Sequence, residues 1–338
     1  MTFVPVVDKN QKPLMPTKPS RARRWIKEGK ATPFWKRGVF CVRLNVEPSG
    51  EEKQEIAVGI DPGSKKEGFS IKSESHTFLN IQTDVPYWIK RSLKVRSMLR
   101  RDRRNRNCPN RKCRRNRKRK NFIPPSTKAR WQWKLRVCNW LFKMYPITNF
   151  VVEDVRAIAR RGYRYNYCFS HVQVGKNWFY SKLSELAPIE KKQGFETKQM
   201  RDVLDLKKSK NKLSNKFEAH CVDSWVLANS YTGGHTEVDN KQILFLKPLF
   251  FQRRRLHKIN ILKGGYKKRQ GGTVSLGFKK GSLVSHQKYP LAYVGGNSNN
   301  CISLHSLDDG KLLSRWIKPQ DCKFLTYNSW RFYNLKTN

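Results

Sequence analysis

Three carboxylates and one histidine stand where side chains of their kind are poorly tolerated. Asp61 closes EIAVGID (residues 55–61), a short β-branched run that reads as a buried strand stopping at a Pro-Gly turn. Glu153 lies at the end of a second such run, NFVVEDV (149–155). Asp223 sits in FEAHCVDSWVLANSY (217–231), which reads as a helix with Ala219, Val222, Trp225 and Val226 on its apolar face. Acids beside buried segments need a counter-charge or a metal. An incidental Lys or Arg accounts for two of them; three converging acids ask for a divalent cation. Oxygen ligands select Mg²⁺, with Mn²⁺ as the alternative. Two such ions about 3.5–4 Å apart activate a water and stabilise the leaving oxygen of a phosphodiester. His220 precedes Asp223 by one helical turn and shares its face, where it can accept the water's proton. Each residue also has a plain structural reading: Asp61 as a turn former, Glu153 as a cap and His220 as a core histidine. The order Asp, Glu, Asp on a strongly basic chain favours the site. DPGS also invites a phosphate-loop reading, but no GK[ST] follows at the required spacing.

Several elements must position these groups. KEGFSIKS and HTFLNIQT follow the first strand closely and predict an antiparallel meander. ARWQWKLRVCNWLFKMYP predicts a helix with Trp133, Val137, Trp140, Leu141 and Met144 near one face. Residues 20–30 predict a short helix capped by Ser20 and ended by Gly29, between the strands TFVPVVD and FCVRLNV. Residues 156–215 are mixed, polar and aromatic. From about 240 onward, short alternating runs with Gly-Gly, Gly-Asn and Asp-Gly turns predict an all-β region.

Between the first two acids the chain changes character. Residues 90–120 hold 17 Lys or Arg in 31 positions, with Asp102 as the only acid. Arg96, Arg100, Arg101, Arg103, Arg104 and Arg106 recur near helical spacing, and Arg114 and Arg115 follow Pro109, which should end or kink the helix. A charge run is often a solvated face or a tail, but this one lies between core-like segments. It reads as a nucleic-acid contact.

The whole chain agrees with that polarity. Its 338 residues carry 71 Lys plus Arg against 25 Asp plus Glu, a formal charge of +46. A freely diffusing metabolic enzyme does not fit such a charge; a polyanion partner does. Mean hydropathy is low at -0.75, yet aromatics reach 12%, which argues for a folded core rather than disorder. No apolar run approaches the roughly 18 residues of a membrane span, and the N-terminus lacks a secretory pattern. Eight scattered cysteines read as free thiols of a reducing cytoplasm. Cys108 and Cys113, in CPNRKC, lack two further zinc ligands at matching spacing. The expected location is cytoplasmic, on the nucleoid when DNA is bound.

GIDPGSKKEGFSI, VVEDV and AHCVDSWVLA resemble the three split segments of a RuvC nuclease, an RNase H-like fold. The Arg-rich stretch resembles the bridge helix of RNA-guided nucleases, and PLMP with SRARR and GKA resembles the N-terminal module of the transposon-encoded IscB group. KGGYKKRQGG, SLGFKKGSLV, YVGG, ISLHSL and KPQDCKFLTYNSWR resemble that group's C-terminal region. IscB proteins carry an HNH nuclease between the second and third RuvC segments. Residues 154–219 are too few to hold one, so the likeness is to the HNH-less IsrB group, RNA-guided nickases. The resemblance implies an α/β fold divided into a PLMP module (1–50), RuvC segment I (51–89), the bridge helix (90–121), segments II and III (122–239) and a C-terminal RNA- and motif-contacting region (240–338). It places a catalytic quartet on Asp61, Glu153, His220 and Asp223, with the acids holding two Mg²⁺ ions. It implies a long structured guide RNA, one protein per RNA, and a target duplex opened into an R-loop and nicked on the displaced strand. Arg253, Arg254, Arg255, Lys267, Lys268 and Arg269 are expected to hold the RNA. Lys279, Lys280, Asn297, Asn299 and Asn300 are expected to read a motif beside the target. Two other readings stay open: a guide-free junction or structure-selective nuclease with the same site, and a non-catalytic RNA-binding scaffold.

Overall fold

The computed structural model describes residues 3–48, 50, 53–106, 123–155, 171–249, 259–260, 265–266 and 274–334. It divides into two compact units, one comprising Met1–Thr32 and Arg43–Ile243, the other Pro33–Val42 and Leu244–Asn338. Among the described residues no helix is long and apolar enough to cross a membrane.

The chain begins with β1 (Val4–Val7), which pairs antiparallel with β2 (Pro13–Thr17). Then come α1 (Pro19–Lys27) and the strands β3 (Ala31–Lys36) and β4 (Val39–Leu44). Ser20 does not cap α1. Lys18 occupies that position and Pro19 takes the first helical turn, where a missing N–H costs nothing. Gly29, at φ 71, lets the chain leave the helix.

The centre of the first unit is a sheet. β5 (Ile56–Asp61), β6 (Lys66–Ser73) and β7 (Thr77–Asp84) form the expected antiparallel meander. α2 (Trp88–Asn105) and α3 (Pro125–Phe142) then lead to β8 (Asn149–Glu153), which lies parallel to β5. A parallel neighbour requires a crossover of this length. α4 (His171–Leu183) leads to β9 (Ile189–Lys192), parallel to β8, and then to α5 (Gly194–Val203) and α6 (Phe217–Thr232). The strand order is β7-β6-β5-β8-β9. This is the mixed α/β class expected, with one strand and two helices in the segment whose sequence shows no clear period.

Strand alternation assigns a helix to each face. Glu67 and Thr83, cross-strand partners, meet Lys134 and Trp133 of α3. Gly59, Gly68 and Ser70 lie under α6. Their smallness sets how close that helix comes. A Cβ on Gly59 would lie 1.8 Å from the Ser224 carbonyl oxygen, and one on Gly68 would lie 2.2 Å from that of His220. Ser70 and Ser224 share a hydrogen bond of 2.9 Å across the same seam. The far end of α6 is fixed by Lys72, whose buried ammonium donates to the Gly233 carbonyl at 2.5 Å. Trp225 Nε1 donates to Thr77 Oγ1 at 2.8 Å.

In the second unit β10 (Ile243–Pro248) pairs antiparallel with the last strand. The two-residue strands β11 (Ile259–Asn260) and β12 (Gly265–Tyr266) form one short ladder, and β13 (Val274–Ser275) and β14 (Phe278–Lys279) another. β15 (Ser282–Ser285), β16 (Ala292–Ser298), β17 (Cys301–His305), β18 (Leu312–Ile317) and β19 (Lys323–Tyr327) form an antiparallel sheet in the order β18-β17-β16-β15-β19, and β20 (Trp330–Asn334) returns to β10. Val284, Ala292, Val294, Ile302 and Leu304 fill its core. Apart from one 3₁₀ turn at Pro319–Asp321, the described part of this region beyond 240 is β, as its alternating runs predict.

The seam between α6 and the sheet gives a direct test. Gly59→Ala should cost about 1–3 kcal/mol, because the helix must move to admit the methyl group. Gly296→Ala, which meets nothing within 4 Å, should change stability by less than about 0.5 kcal/mol. Urea denaturation of both variants measures the difference, and equal stabilities would place α6 farther from β5.

Candidate active site

Parallel register brings the first two acids together. β5 and β8 match Ala57 with Asn149, Gly59 with Val151 and Ile60 with Val152. The next step sets Asp61 beside Glu153, both at strand C-termini and both on the α6 face. The edge between β5 and β8 is also where the strand order reverses direction, a position where open α/β sheets bind ligands at their carboxyl ends. Gly194, the first residue of α5, leaves space for Glu153, since a Cβ there would come within 2.9 Å of Oε1. α6 carries His220 and Asp223 over the same edge, both buried.

His220 Nε2 lies 3.0 Å from the Lys212 carbonyl oxygen. A carbonyl only accepts, so Nε2 carries a hydrogen, and whenever the ring is neutral its lone pair lies on Nδ1. Nδ1 is buried without a hydrogen-bond partner and stands 3.7 Å from Asp61 Oδ2. Burial works against the charged form of Asp61, but the His220 ring in its protonated form, the Lys208 ammonium and the Glu153 carboxyl hold it below the usual aspartate range. Burial, the adjacent Asp61 and the charge of Asp223 push Glu153 up to about 8, against the pull of Lys208. At neutral pH, Glu153 therefore keeps its proton and shares it with ionised Asp61, and the two titrate as a pair.

Asp223 faces other partners. Arg201 Nη1 donates to Oδ1 at 2.6 Å, and the Lys208 ammonium holds Oδ2. Lys208 also acts electrostatically on Asp61 and Glu153, and its affinity for its proton is raised by all three acids despite partial burial. The structure therefore draws together Asp61, Glu153 and His220, two of the three acids expected to converge and the histidine. Asp223 is within reach of their charge but is turned onto two cations. Among the described residues, no three His, Cys, Asp or Glu side chains are drawn together tightly enough to hold a metal.

Arg201 and Lys208 are the residues that sequence reasoning misses. The available signal is the basic run KKSKNK (207–212), placed just ahead of the helix bearing His220 and Asp223. The donor set nevertheless fits a hard divalent cation. Its acids supply only oxygen, an unpartnered buried nitrogen adjoins them, and a cationic side chain already lies among them.

Other acids nearby have structural partners. Asp154 accepts from Lys176 Nζ and Tyr180 OH, each at 2.9 Å, fastening α4 beside the end of β8. Glu67, fully buried on the opposite face, pairs with Lys134 at 2.5 Å, and Lys134 stacks 4.5 Å above Trp131.

The expected nucleic-acid contacts are placed as follows. Arg96, Arg100, Arg101, Arg104 and Arg106 are exposed on α2 or at its end, together with Leu93, Met98 and Leu99. Arg103 belongs to the same helix. Arg114, Arg115, Arg253, Arg254, Arg255, Lys267, Lys268 and Arg269 lie outside the described residues, as do Cys108 and Cys113. Lys279 is exposed and stacks over Tyr327 at 5.7 Å; Lys280 is half-buried and Asn297 exposed. Asn299 and Asn300, at φ 45 and 57, form the two-residue turn between β16 and β17, a conformation in which asparagine is favoured. Their pairing thus has a backbone reason independent of DNA reading. Among the described residues Cys41, Cys138, Cys221, Cys301 and Cys322 form no disulfide.

Residues 4–162, somewhat under half of the chain, match the family model described as RRXRR protein. No curated protein matches the chain. Two solved structures show distant likeness. RuvC of T. thermophilus in complex with a Holliday junction substrate is 13% identical, over 53% of this chain and 97% of that one, with a TM-score of 0.29. A CRISPR-Cas12f ternary complex is 14% identical over 68% of this chain, with a TM-score of 0.34, and the match spans 51% of the Cas12f chain.

The shared proton predicts a pH dependence. Glu153 is raised from 4.5 to about 8, so between these values the folded chain holds a proton that the unfolded chain has released. Its contribution to stability is complete below the lower value and is lost as pH rises toward the upper one. In buffer containing a chelator, Glu153→Gln should therefore gain thermal stability relative to the parent as pH rises across this window. A difference in melting temperature that stays constant with pH would exclude the shared proton.

Proposed function

We propose that the protein is a RuvC-type nuclease with an RNase H-like core, guided by RNA, that nicks one strand of target DNA. The observation that carries the reading is the meeting of Asp61, Glu153 and His220 at the adjoining ends of β5, β8 and α6, with Asp223 beside them. The RRXRR match supports it, since that family is found in IscB- and Cas9-like RuvC proteins. Asp61, Glu153 and Asp223 would hold Mg²⁺ or Mn²⁺. The metal, when bound, lowers the pKa of an attacking water and neutralises charge on the phosphate oxygens. The Nδ1 lone pair of His220 accepts the water's proton, while the Lys212 carbonyl keeps the ring in the required tautomer.

Two features favour guided nicking over the rival readings. First, the described part of the interval between Glu153 and His220 forms α4, β9 and α5, and β9 belongs to the central sheet. That leaves no length there for a second nuclease domain. Second, the described side chains of α2 are exposed from Lys90 onward. Arginines spaced four apart, such as Arg96, Arg100 and Arg104, repel along an isolated helix. Phosphates of an RNA–DNA heteroduplex would convert that repulsion into binding, while base pairing with the guide supplies the sequence selectivity. α2 is then the bridge helix, and the later lysines and asparagines are contacts to RNA scaffold and flanking DNA.

Programmed cleavage of a supercoiled plasmid tests the reading. The complex should convert it to open circle and stop there. Asp61→Asn, Glu153→Gln and Asp223→Asn should each abolish nicking with target binding retained, and His220→Ala should lower the rate by about 10²–10⁴-fold. Early linear product from one complex, or full activity without Asp61, would overturn it. Replacing Arg100, Arg104 and Arg106 with Gln should flatten the salt dependence of RNA binding, by about one unit of slope for each arginine that no longer neutralises a phosphate. An unchanged slope would leave these arginines facing solvent.

A further inference from the structure

Among the described residues, three buried acids of the first unit pair with lysine, and the three lysines differ in exposure. The side chains of Lys134 and Lys176, paired with Glu67 and Asp154, are 5% and 7% exposed. That of Lys208, paired with Asp223, is 35% exposed. The first two cannot leave without burying an unpaired charge. Lys208 can withdraw along its own flexible stem into water.

Its position also differs. It acts on Asp223, Asp61 and Glu153 together, the acids that the proposed function assigns to the metal, while the unpartnered His220 Nδ1 marks the same pocket as one that takes a further ligand. Arg201 keeps hold of the other Asp223 oxygen at 2.6 Å, so Asp223 is not orphaned when Lys208 departs. The loop carrying Lys208 is fastened beyond it, where Gln82 donates to the Ser214 carbonyl at 3.1 Å and Lys66 to Asn215 Oδ1 at 2.6 Å. The neighbouring Lys207, Lys210 and Lys212 are all exposed.

We infer that Lys208 is an internal competitor for the cation of the acid site, a tethered ammonium that must release Asp223 before a divalent ion can engage all three carboxylates. The inference rests on the metal-binding reading of those acids. Charge balance supplies the reason: the acids tolerate one another's proximity because a cation is always among them, whether the chain's own or a bound one. A phosphate backbone reaching the Lys207–Lys212 run would offer the released ammonium a new partner.

Manganese binding to the full chain, freed of nucleic acid at high salt, tests this without reference to cleavage. Free Mn²⁺ is counted by electron paramagnetic resonance. Lys208→Met should bind Mn²⁺ at least about tenfold more tightly than the parent, roughly 1.4 kcal/mol. Lys208→Arg, which keeps the charge, and Lys207→Met, which removes a neighbouring one, should bind as the parent does. Adding Asp61→Asn to Lys208→Met should remove the gain. Equal affinity of the parent and Lys208→Met, with binding dependent on Asp61, would overturn the competition and leave the metal site standing. An equal gain in Lys207→Met would also overturn it, as an effect of net charge alone. Binding indifferent to Asp61 in every variant would overturn the metal site itself, and the competition with it.

Discussion

Carboxylates held together in a partly dry pocket repel one another, and much of the first unit is an answer to that repulsion. Unit charges a few ångströms apart interact by several kcal/mol at the dielectric of a protein surface. Asp61 and Glu153 avoid part of this by sharing a proton, and Asp223 by facing Arg201 and Lys208. Neither solution gives the acids a reason to be adjacent. A hydrophobic core would be better served by their removal. Their adjacency is therefore an electrostatic cost, and it is maintained by backbone geometry that repulsion cannot easily relax.

That geometry has two independent parts. The parallel ladder of β5 and β8 fixes the spacing of Asp61 and Glu153, and slipping the register by one residue would turn one acid to the opposite face. The height of α6 above the sheet fixes His220 and Asp223. It is set by the absence of side chains at Gly59 and Gly68 and by the small Ser70–Ser224 pair. Lys72 and Trp225 then prevent α6 from sliding along that seam. In this way glycines inside strands, which ordinarily weaken a sheet, become the feature that brings His220 and Asp223 within range of the strand-end acids.

Much of this was legible in the sequence, for reasons that separate the successes from the omissions. EIAVGID, NFVVEDV and the helix around His220 are strongly patterned, so their acids stood out as anomalies against an apolar background. Arg201 and Lys208 had no such background, because residues 156–215 show no clear period and a cation on a +46 chain is not an anomaly. α5 starts with a capping box from Gln193 and Glu196, a local signal that was present but short. Ser20 illustrates the opposite error: a good capping residue was outranked by Pro19 at the first helical position. Asn299 and Asn300 show how one residue type serves two purposes, since the amide that reads adenine is also the side chain that best tolerates a positive φ.

The buried acids themselves offer a criterion that does not depend on resemblance. Glu67 and Asp154 are as enclosed as Asp61, and burial pushes the Glu67 carboxyl up while Lys176 and Tyr180 hold that of Asp154 down against burial. By pKa alone they would rank as site residues. What distinguishes them is the partner. Each is ion-paired with a lysine enclosed with it, and the pair joins a helix to the sheet: α3 through Lys134, α4 through Lys176. Asp61 faces a histidine nitrogen without a hydrogen bond and a glutamate that must hold its proton, while Asp223 is held by a lysine one-third open to water. A carboxylate whose counter-charge is locked in place works as a tether. One whose counter-charge can leave is available for chemistry.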